Sequence, residues 1–228
     1  MPVATITTTD HSLLHLMRLS SASLPVGGYS FSQGLEYAVE SGWVTSKEQT
    51  ADWLRLILLE SIAQVDLPIL QRLIAALENN SPKDFWFWNA TLLACRETKE
   101  LLLTETAMGE ALVRLLTQLQ REMPAKQPKD VSFIAAFAVA TEHWQVNLEA
   151  AKVGYLWSWL ENQIAAATKL VPLGQTVAQQ LLIELGNCFP EAIKISQTIA
   201  DNEIGSSLPG MAMASSWHET QYSRLFRS

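Results

Sequence analysis

The segment AAKVGYLWSWLENQIAAATKL, residues 150–170, decides the fold of this 228-residue chain. Its apolar residues cover nearly every side of a helix, because Tyr155, Trp157 and Trp159 are followed by a run of alanines. A helix that is apolar all round is stable in water only when other elements cover it. We therefore place this segment at the centre of a helical bundle, with the remaining helices packed around it.

The rest of the chain shows the same helical periodicity. Apolar residues recur at spacings of three and four between Trp53 and Val65, and strand-like alternation is nearly absent. Three helix-start signals separate the periodic segments: Ser30 before Gln33, Ser46 before Gln49, and Ser81 before Pro82. The pattern predicts about ten helices, near residues 10–22, 30–41, 46–62, 65–79, 82–97, 99–122, 130–146, 148–170, 174–187 and 190–202. We expect them to form one all-α domain, a helical bundle over residues 1–228.

The two ends of the chain are expected to lie outside the bundle. We expect residues 1–9 to be disordered and residues 203–228 to form an extended tail, in which Trp217, Tyr222 and Arg224 follow a run of small residues. Such a tail either frays or docks on its own core. Alternatively it binds a partner, because aromatic and arginine side chains are the types that anchor protein interfaces.

Composition excludes several classes of protein. The net charge is −7 and the 16 Lys and Arg form no run, which argues against a nucleic-acid binder and favours a basic protein partner or simple solubility. Charged residues interrupt every apolar stretch before about 20 residues accumulate, so we expect no membrane span. No secretory leader is visible, so we expect a cytoplasmic protein whose two thiols, Cys95 and Cys188, are reduced and mostly buried.

A Pro/Gly turn leads into a helix in LPVGGYSFSQGLE, residues 24–36. The backbone amides at that helix start are a possible anion site, and a tight connection between helices is the structural alternative. A nucleotide loop is excluded, because that loop needs a Lys after its glycines and none occurs between Arg18 and Lys47. Gly34 weakens the helical pattern, which predicts that another backbone packs close to it.

The charged and histidine motifs predict no catalytic or metal site. Arg96 and Glu100 have the spacing of a solvated ion pair on one helix face. His11 and His15 are four residues apart, but two ligands do not make a metal site. His218 begins a sequence like that of zinc proteases, yet no second His follows four residues later. We therefore expect no catalytic residue, no bound metal and no cofactor.

Four segments, taken in order, resemble the urease accessory protein UreF family: LPVGGYSFSQGLEYAVESGWV (24–44), RETKE (96–100), AAATKLVPLGQT (165–176) and WHETQYSRLFRS (217–228). The resemblance implies an all-α protein, usually a homodimer, that is not an enzyme. It implies an adaptor that joins UreD (UreH in some organisms) and the GTPase UreG on apo-urease, and that couples nickel delivery to GTP hydrolysis by UreG. Neither nucleic acid nor membrane is an expected partner.

The resemblance also implies a set of partner-binding residues. They are Tyr29, Ser30, Gln33, Glu36, Arg96, Glu97, Lys169, Gln175, His218, Glu219, Arg224 and Phe226. On this interpretation the tail orders against UreD, Arg224 donates to a partner oxygen, and Phe226 fills an apolar pocket of the partner. Lys99 and Lys169 stand where many relatives are expected to carry Arg, and Lys lacks the planar fork for bidentate contacts.

Two further hypotheses remain open at this point. In one, the chain activates the GTPase by inserting an arginine, Arg96 or Arg224, into its site. In the other, the chain is a metallochaperone that binds nickel through His11, His15 or His218.

Overall fold

The computed structural model describes residues 10–228 and contains only helices, turns and irregular segments over that range. The expectation of disorder over residues 1–9 lies outside the described residues. The α-helices are α1 (Asp10–Leu19), α2 (Leu35–Glu40), α3 (Lys47–Ile57), α4 (Leu67–Glu78), α5 (Pro82–Ala94), α6 (Lys99–Gln118), α7 (Phe133–His143), α8 (Leu148–Leu170), α9 (Gln175–Gly186), α10 (Phe189–Thr198) and α11 (Pro209–His218). The prediction of an all-α fold is confirmed. Among the described helices, none is long and apolar enough to span a bilayer.

The predicted central helix is α8. Its side chains at Ala151, Leu156 and Leu160 have no exposed surface, and it packs against α1, α2, α3, α4, α9 and α10. A second helix shares the centre: every residue of α7 from Phe133 to Thr141 is buried. Together these two helices form the core that the others cover, as expected for helices that are apolar on all sides.

Residues 47–78 form one continuous helical run, so the prediction of two separate helices at 46–62 and 65–79 is wrong. The run begins as predicted, with the Ser46 side chain accepting a hydrogen bond from the Gln49 amide. Between α3 and α4 the segment Leu58–Asp66 is π-helical. Pro68 is the second residue after this segment, and because proline donates no amide hydrogen bond to the preceding turn, the wider π-turn accommodates it without ending the helix.

The turn before α2 differs from the predicted capping box. The Ser30 hydroxyl donates back to the Gly27 carbonyl at 2.7 Å and caps no helix. Gly34 is the N-cap residue instead, at φ 86°, a left-handed conformation that favours glycine. The predicted close approach at Gly34 is confirmed, since an added Cβ would lie 3.0 Å from the Ser215 amide nitrogen.

Residues 209–218 are helical, so the predicted extended tail is wrong over that range. Pro209 occupies the first turn of α11, where its missing amide costs nothing. The small side chains of Ala214 and Ser215 are fully buried and let α11 pack closely on α2. Residues 219–228 then run as irregular chain over α2 and α6, and we call residues 209–228 the docked tail.

Both cysteines are free thiols, as predicted. Most of the surface of each is covered, as expected, although neither is fully buried. Burial is still sufficient to raise the pKa of the Cys95 thiol above its ordinary value.

Gly109 is the closest contact between α6 and the segment that enters α7. A Cβ at this position would overlap the Val131 carbonyl oxygen and lie 2.7 Å from the Ser132 carbonyl carbon. Both are backbone atoms, so no side-chain movement relieves the overlap. We expect Gly109→Ala to lower the free energy of unfolding by about 2 kcal/mol or more, measured by urea denaturation.

Gly186 is the matched control, because it ends α9 with open space around its Cβ position. Gly186→Ala should leave the free energy of unfolding unchanged or raise it by up to about 1 kcal/mol. Equal destabilisation by the two substitutions would contradict the packing described for α6.

Candidate functional site

The docked tail is held by His218, the last residue of α11, which has no exposed surface. Its Nδ1 lies 2.8 Å from Oε2 of Glu100 on α6, and its Nε2 lies 2.9 Å from Oε2 of Glu36 on α2. An ionised carboxylate accepts hydrogen bonds and donates none, so this geometry fits an imidazolium that donates from both nitrogens. His218 therefore ties three helices together at one buried point.

Glu36 also binds the backbone of the tail. Its Oε1 accepts from the Leu225 amide at 2.6 Å, and its Oε2 accepts from the Phe226 amide at 2.9 Å. Only 6% of Glu36 is exposed, and a buried carboxylate is stable only when hydrogen bonds replace its water. The first turn of α2 thus fixes the course of residues 225–226.

Arg224 completes a neutral cluster of charges. Its Nη1 lies 3.1 Å from Oε1 of Glu100, so that Glu100 contacts both Arg224 and His218. With the imidazolium form of His218, two cations face the two carboxylates of Glu36 and Glu100. Buried ion groups are tolerated when charge and hydrogen bonds are both satisfied, and this cluster meets both conditions.

The last four residues are also anchored by main-chain and hydroxyl contacts. The main-chain oxygen of Ser228 accepts from the Ser32 amide and, at 3.2 Å, from the Gln33 amide. The Ser228 hydroxyl lies 2.6 Å from the Thr104 hydroxyl, and the Arg227 amide donates to the Ser30 carbonyl at 2.9 Å. The Pro/Gly turn and Thr104 on α6 therefore hold the end of the tail.

Phe226 fills a pocket of its own chain, not a pocket of a partner. It is 4% exposed and packs with Leu35, Ala38, Val44, Ala166, Ala167, Val171 and Ala214. The Lys169 ammonium lies 5.4 Å from the centre of the Phe226 ring, which is within the range of a cation–π contact. The expectation that Phe226 fills a pocket of a partner is wrong, because its own chain encloses the ring. Arg224 contacts Glu100 but keeps 41% of its side chain exposed, so its partner contact stays a prediction.

The other side of the docked tail carries large exposed side chains. Tyr222 is fully exposed, and Leu225 and Trp217 are 63% and 41% exposed. Trp217 packs edge-on against Trp43, with ring centres 5.8 Å apart. We call Trp43, Met213, Trp217, Tyr222, Arg224 and Leu225 the tail surface. Tyrosine, tryptophan and arginine are the side chains that contribute most to binding at protein interfaces.

A second buried charge cluster surrounds Arg96, so the predicted solvated pair of Arg96 with Glu100 is wrong. The chain leaves helical geometry between α5 and α6, which separates the two residues. Arg96 Nη2 lies 2.7 Å from Oε2 of Glu105 and 2.8 Å from Oδ1 of Asp66. The Asp66 contact is an ion pair without an aligned hydrogen bond, since that oxygen has no hydrogen-bonding partner. The Tyr155 hydroxyl donates to the other Asp66 oxygen at 3.0 Å.

This second cluster is not neutral, because one guanidinium faces two carboxylates. Burial raises the pKa of Asp66; the positive charge of Arg96 opposes this effect, and the negative charge of Glu105 adds to it. For Arg96, burial disfavours the charge, but Asp66 and Glu105 outweigh it and raise the pKa. The Arg96 side chain is only 13% exposed, so it is not positioned to enter the site of another protein.

The structure brings together more than half of the predicted site residues. Those in contact with the docked tail or within it are Ser30, Gln33, Glu36, Lys169, His218, Glu219, Arg224 and Phe226. Four others lie elsewhere. Tyr29 is 58% exposed, Gln175 is exposed at the start of α9, Glu97 accepts from the Ser207 hydroxyl at 2.7 Å, and Arg96 is enclosed as described.

Sequence reasoning missed Glu100, Asp66 and Glu105 as site residues. Glu105 stands among the buried positions of α6, between Leu101 and Met108, and an acidic residue in an apolar stripe was the available signal. His15 does not join His11 in a ligand pair; its ring stacks on Trp144 with centres 4.8 Å apart. Over residues 10–228 the structure assembles no group of three His, Cys, Asp or Glu side chains that could hold a metal ion.

A helical domain that anchors its tail with buried charges, and turns aromatic and arginine side chains outward from it, has the features of a protein that binds other proteins. Comparison with known proteins identifies the group. The UreF family model matches residues 44–186. The urease accessory protein UreF of Marinomonas sp. (strain MWYL1) is 53% identical over 98% of this chain and 97% of its own length.

Two further relatives with the same description agree. That of Alkalilimnicola ehrlichii is 48% identical over 93% of this chain and 94% of its own length, and that of Hahella chejuensis is 44% identical over 95% and 98%. The chain belongs to the UreF family of urease accessory proteins.

Removal of the His218 imidazole would leave Glu36 and Glu100 buried without that cation. We expect His218→Ala to lower the free energy of unfolding by about 3–5 kcal/mol, the usual cost of an uncompensated buried charge. Urea denaturation gives the stability, and limited proteolysis reports whether residues 219–228 have become accessible. Glu219→Gln, at the next position and half-buried, should change the stability by no more than about 0.5 kcal/mol. Equal stability of the His218→Ala variant and the wild type would refute the role of His218 in holding the docked tail.

Asp66 predicts a defined pH dependence. Because its folded-state pKa lies above the ordinary value of 3.8, the folded chain binds this proton more tightly than the unfolded chain does. The resulting stability is present below the ordinary pKa and is lost as pH rises through the folded-state pKa. Asp66→Asn cannot titrate, so its free energy of unfolding should rise relative to wild type across that range, by at most about 1.4 kcal/mol per pH unit.

The measurement is urea denaturation of both proteins at a series of pH values. Asp52→Asn serves as the control, because the Asp52 side chain is 75% exposed. The raised pKa of Asp66 is contradicted if the difference in free energy of unfolding between Asp66→Asn and wild type does not change with pH.

Proposed function

We propose that this urease accessory protein is a non-catalytic adaptor in urease maturation. In the proposed assembly it binds UreD (or UreH) through the tail surface and places the GTPase UreG on apo-urease, so that GTP hydrolysis is coupled to delivery of nickel. The observation that carries the proposal is the tail surface: exposed Tyr222, Leu225 and Trp217 stand on a segment whose inner side is fixed by buried charges.

The charges beneath the tail surface support this role by ordering it before binding. A flexible segment loses conformational entropy when it binds, and a segment that is already docked loses less. Glu36, His218 and Phe226 are buried, and they hold the docked tail on the side that faces the domain. Tyr29, Lys169 and Gln175 are exposed, and we assign them to partner contact as part of the same proposal.

We also propose that the chain forms a homodimer. The feature that supports it is an apolar face on α1, where Leu13, Leu14 and Met17 are 46%, 61% and 63% exposed. Exposed apolar residues grouped on one helix mark interaction surfaces more often than chance positions do. This face belongs to a different helix from the tail surface, which leaves the tail free for another protein.

The alternative function, insertion of an arginine into the GTPase site, loses its first candidate, because Arg96 is enclosed by Asp66 and Glu105. Arg224 is the remaining candidate of that hypothesis; it contacts Glu100, and 41% of its side chain is exposed.

The adaptor proposal is tested by assembly. The purified chain is mixed with the UreD (or UreH) and UreG proteins of its own source, and complex mass is measured by light scattering after size exclusion. We expect a stable complex with wild type. We expect the double variant Tyr222→Ala, Leu225→Ala to weaken binding about tenfold, because a combined loss of about 1.4 kcal/mol from two interface side chains corresponds to a factor of ten.

Ile183→Ala is the matched control, because Ile183 is 68% exposed on α9 and apart from the tail. It should bind as wild type does. Absence of any complex with wild type, in every nucleotide and nickel condition, would overturn the adaptor role. Assembly that is unaffected by the double variant would move the interface away from the tail surface.

A further inference from the structure

A surface groove lies where α4 and α7 end, and none of the residues that line it belongs to the docked tail. It encloses about 360 Å³. Leu77, Phe85 and Val139 form part of its floor, while Glu122 and Glu142 stand among the residues at its edge. The groove is therefore a separate feature from the site described above.

The floor of the groove is apolar and rigid. Phe85 is fully buried and Val139 is 1% exposed, so both are fixed by the core. Met123 lines the same groove and packs partly on the core. The segment that carries it is held by the Trp86 indole, which donates to the Ala125 carbonyl at 2.7 Å. A preformed apolar floor of this kind favours an aliphatic group.

The edge of the groove is negative. The Glu142 side chain is 46% exposed in the last turn of α7, and Glu122 is exposed in the segment after α6. The last turns of α4 and α7 line the groove with their negative helix ends, but the first turn of α5 lines it with a positive end, so the negative charge of the edge comes from the two carboxylates. His143 positions this edge: its Nε2 lies 3.4 Å from the Glu122 carbonyl oxygen, and its Nδ1 lies 3.8 Å from Oε2 of Glu142.

We propose that this groove receives an arginine side chain from a protein partner. The apolar floor matches the methylene stem of arginine, and the two carboxylates match its guanidinium. The groove is open to solvent, which suits a side chain presented by another protein better than a small molecule that must be enveloped. The proposal identifies a second interaction surface and does not depend on the adaptor role of the tail surface.

The groove is tested directly with Nα-acetyl-arginine amide as the probe. The ¹³C-labelled methyl group of Met123, assigned by its loss in Met123→Leu, reports occupancy of the groove by NMR. We expect a saturable shift with the arginine probe. The citrulline analogue, which has the same shape without the charge, should give a markedly weaker response. No saturable shift, or equal shifts with both compounds, would overturn the proposal.

The acidic edge is tested with Glu122→Gln, Glu142→Gln, a double variant that keeps the size of both side chains. It should weaken binding of the arginine probe about fivefold, as expected for loss of two exposed charge contacts. Glu110→Gln is the control, because the Glu110 side chain is 72% exposed on α6 and lies outside this groove. An unchanged affinity in the double variant would also overturn the proposal.

The protein source of the arginine is tested by calorimetry with UreD (or UreH), UreG and apo-urease in turn. The double variant should raise the Kd for one of them about fivefold while the Tyr222→Ala, Leu225→Ala variant leaves the groove probe unaffected. A groove that binds the probe while all three affinities stay unchanged would overturn the protein partner and assign the groove to a free guanidinium ligand. Failure of the wild type to bind any of the three would count against the adaptor role alone, because the probe still reports on the groove.

Discussion

The need to cover α7 and α8 shapes the rest of this structure. Both helices carry apolar residues on every side, and α7 is buried over nine successive residues from Phe133 to Thr141. Neither is stable in water by itself, so each remaining element supplies part of their cover. This constraint explains the glycines at two close helix contacts. Gly109 lies where α6 approaches the start of α7, and Gly154 lies where α8 approaches α1.

Two charge clusters are buried beside this core, and their charge balance differs. Around His218, two cations meet the carboxylates of Glu36 and Glu100, and backbone amides satisfy the remaining acceptors. Around Arg96, one cation meets two carboxylates, and burial, with a further contribution from the charge of Glu105, raises the pKa of Asp66. The first cluster joins the tail to the domain, while the second joins the π-helical segment, α6 and α8 within it. A neutral cluster is suited to hold a segment that arrives late in the chain, because its charges compensate each other when it forms.

The sequence predicted the elements whose cause is local. The apolar segment at 150–170 and the cap at Ser46 depend on residues that are visible in one window. Gly34 interrupts a local helical pattern, which predicted a close approach there, but not that Ser215 supplies it. The errors share a different cause. The helical run from α3 to α4 continues through Pro68 because of a π-turn. The apolar residues of α11 show little helical spacing, and this helix is stabilised by packing on α2. The spacing of apolar residues along the sequence does not report such interactions. The resemblance named residues that lie in or around the docked tail, but Phe226 packs within its own chain and not on a partner.

Docking of the tail on its own domain does not exclude the partner binding that its sequence also allows. The docked segment buries some of its side chains and leaves others exposed. His218 and Phe226 face inward, whereas Trp217, Tyr222 and Leu225 remain at the surface. If the tail were free, its order would have to be established during binding, at a cost in conformational entropy. Because buried carboxylates already hold its backbone, the exposed side chains are presented in a fixed arrangement, and the fold of the isolated chain prepares the surface that a partner would meet.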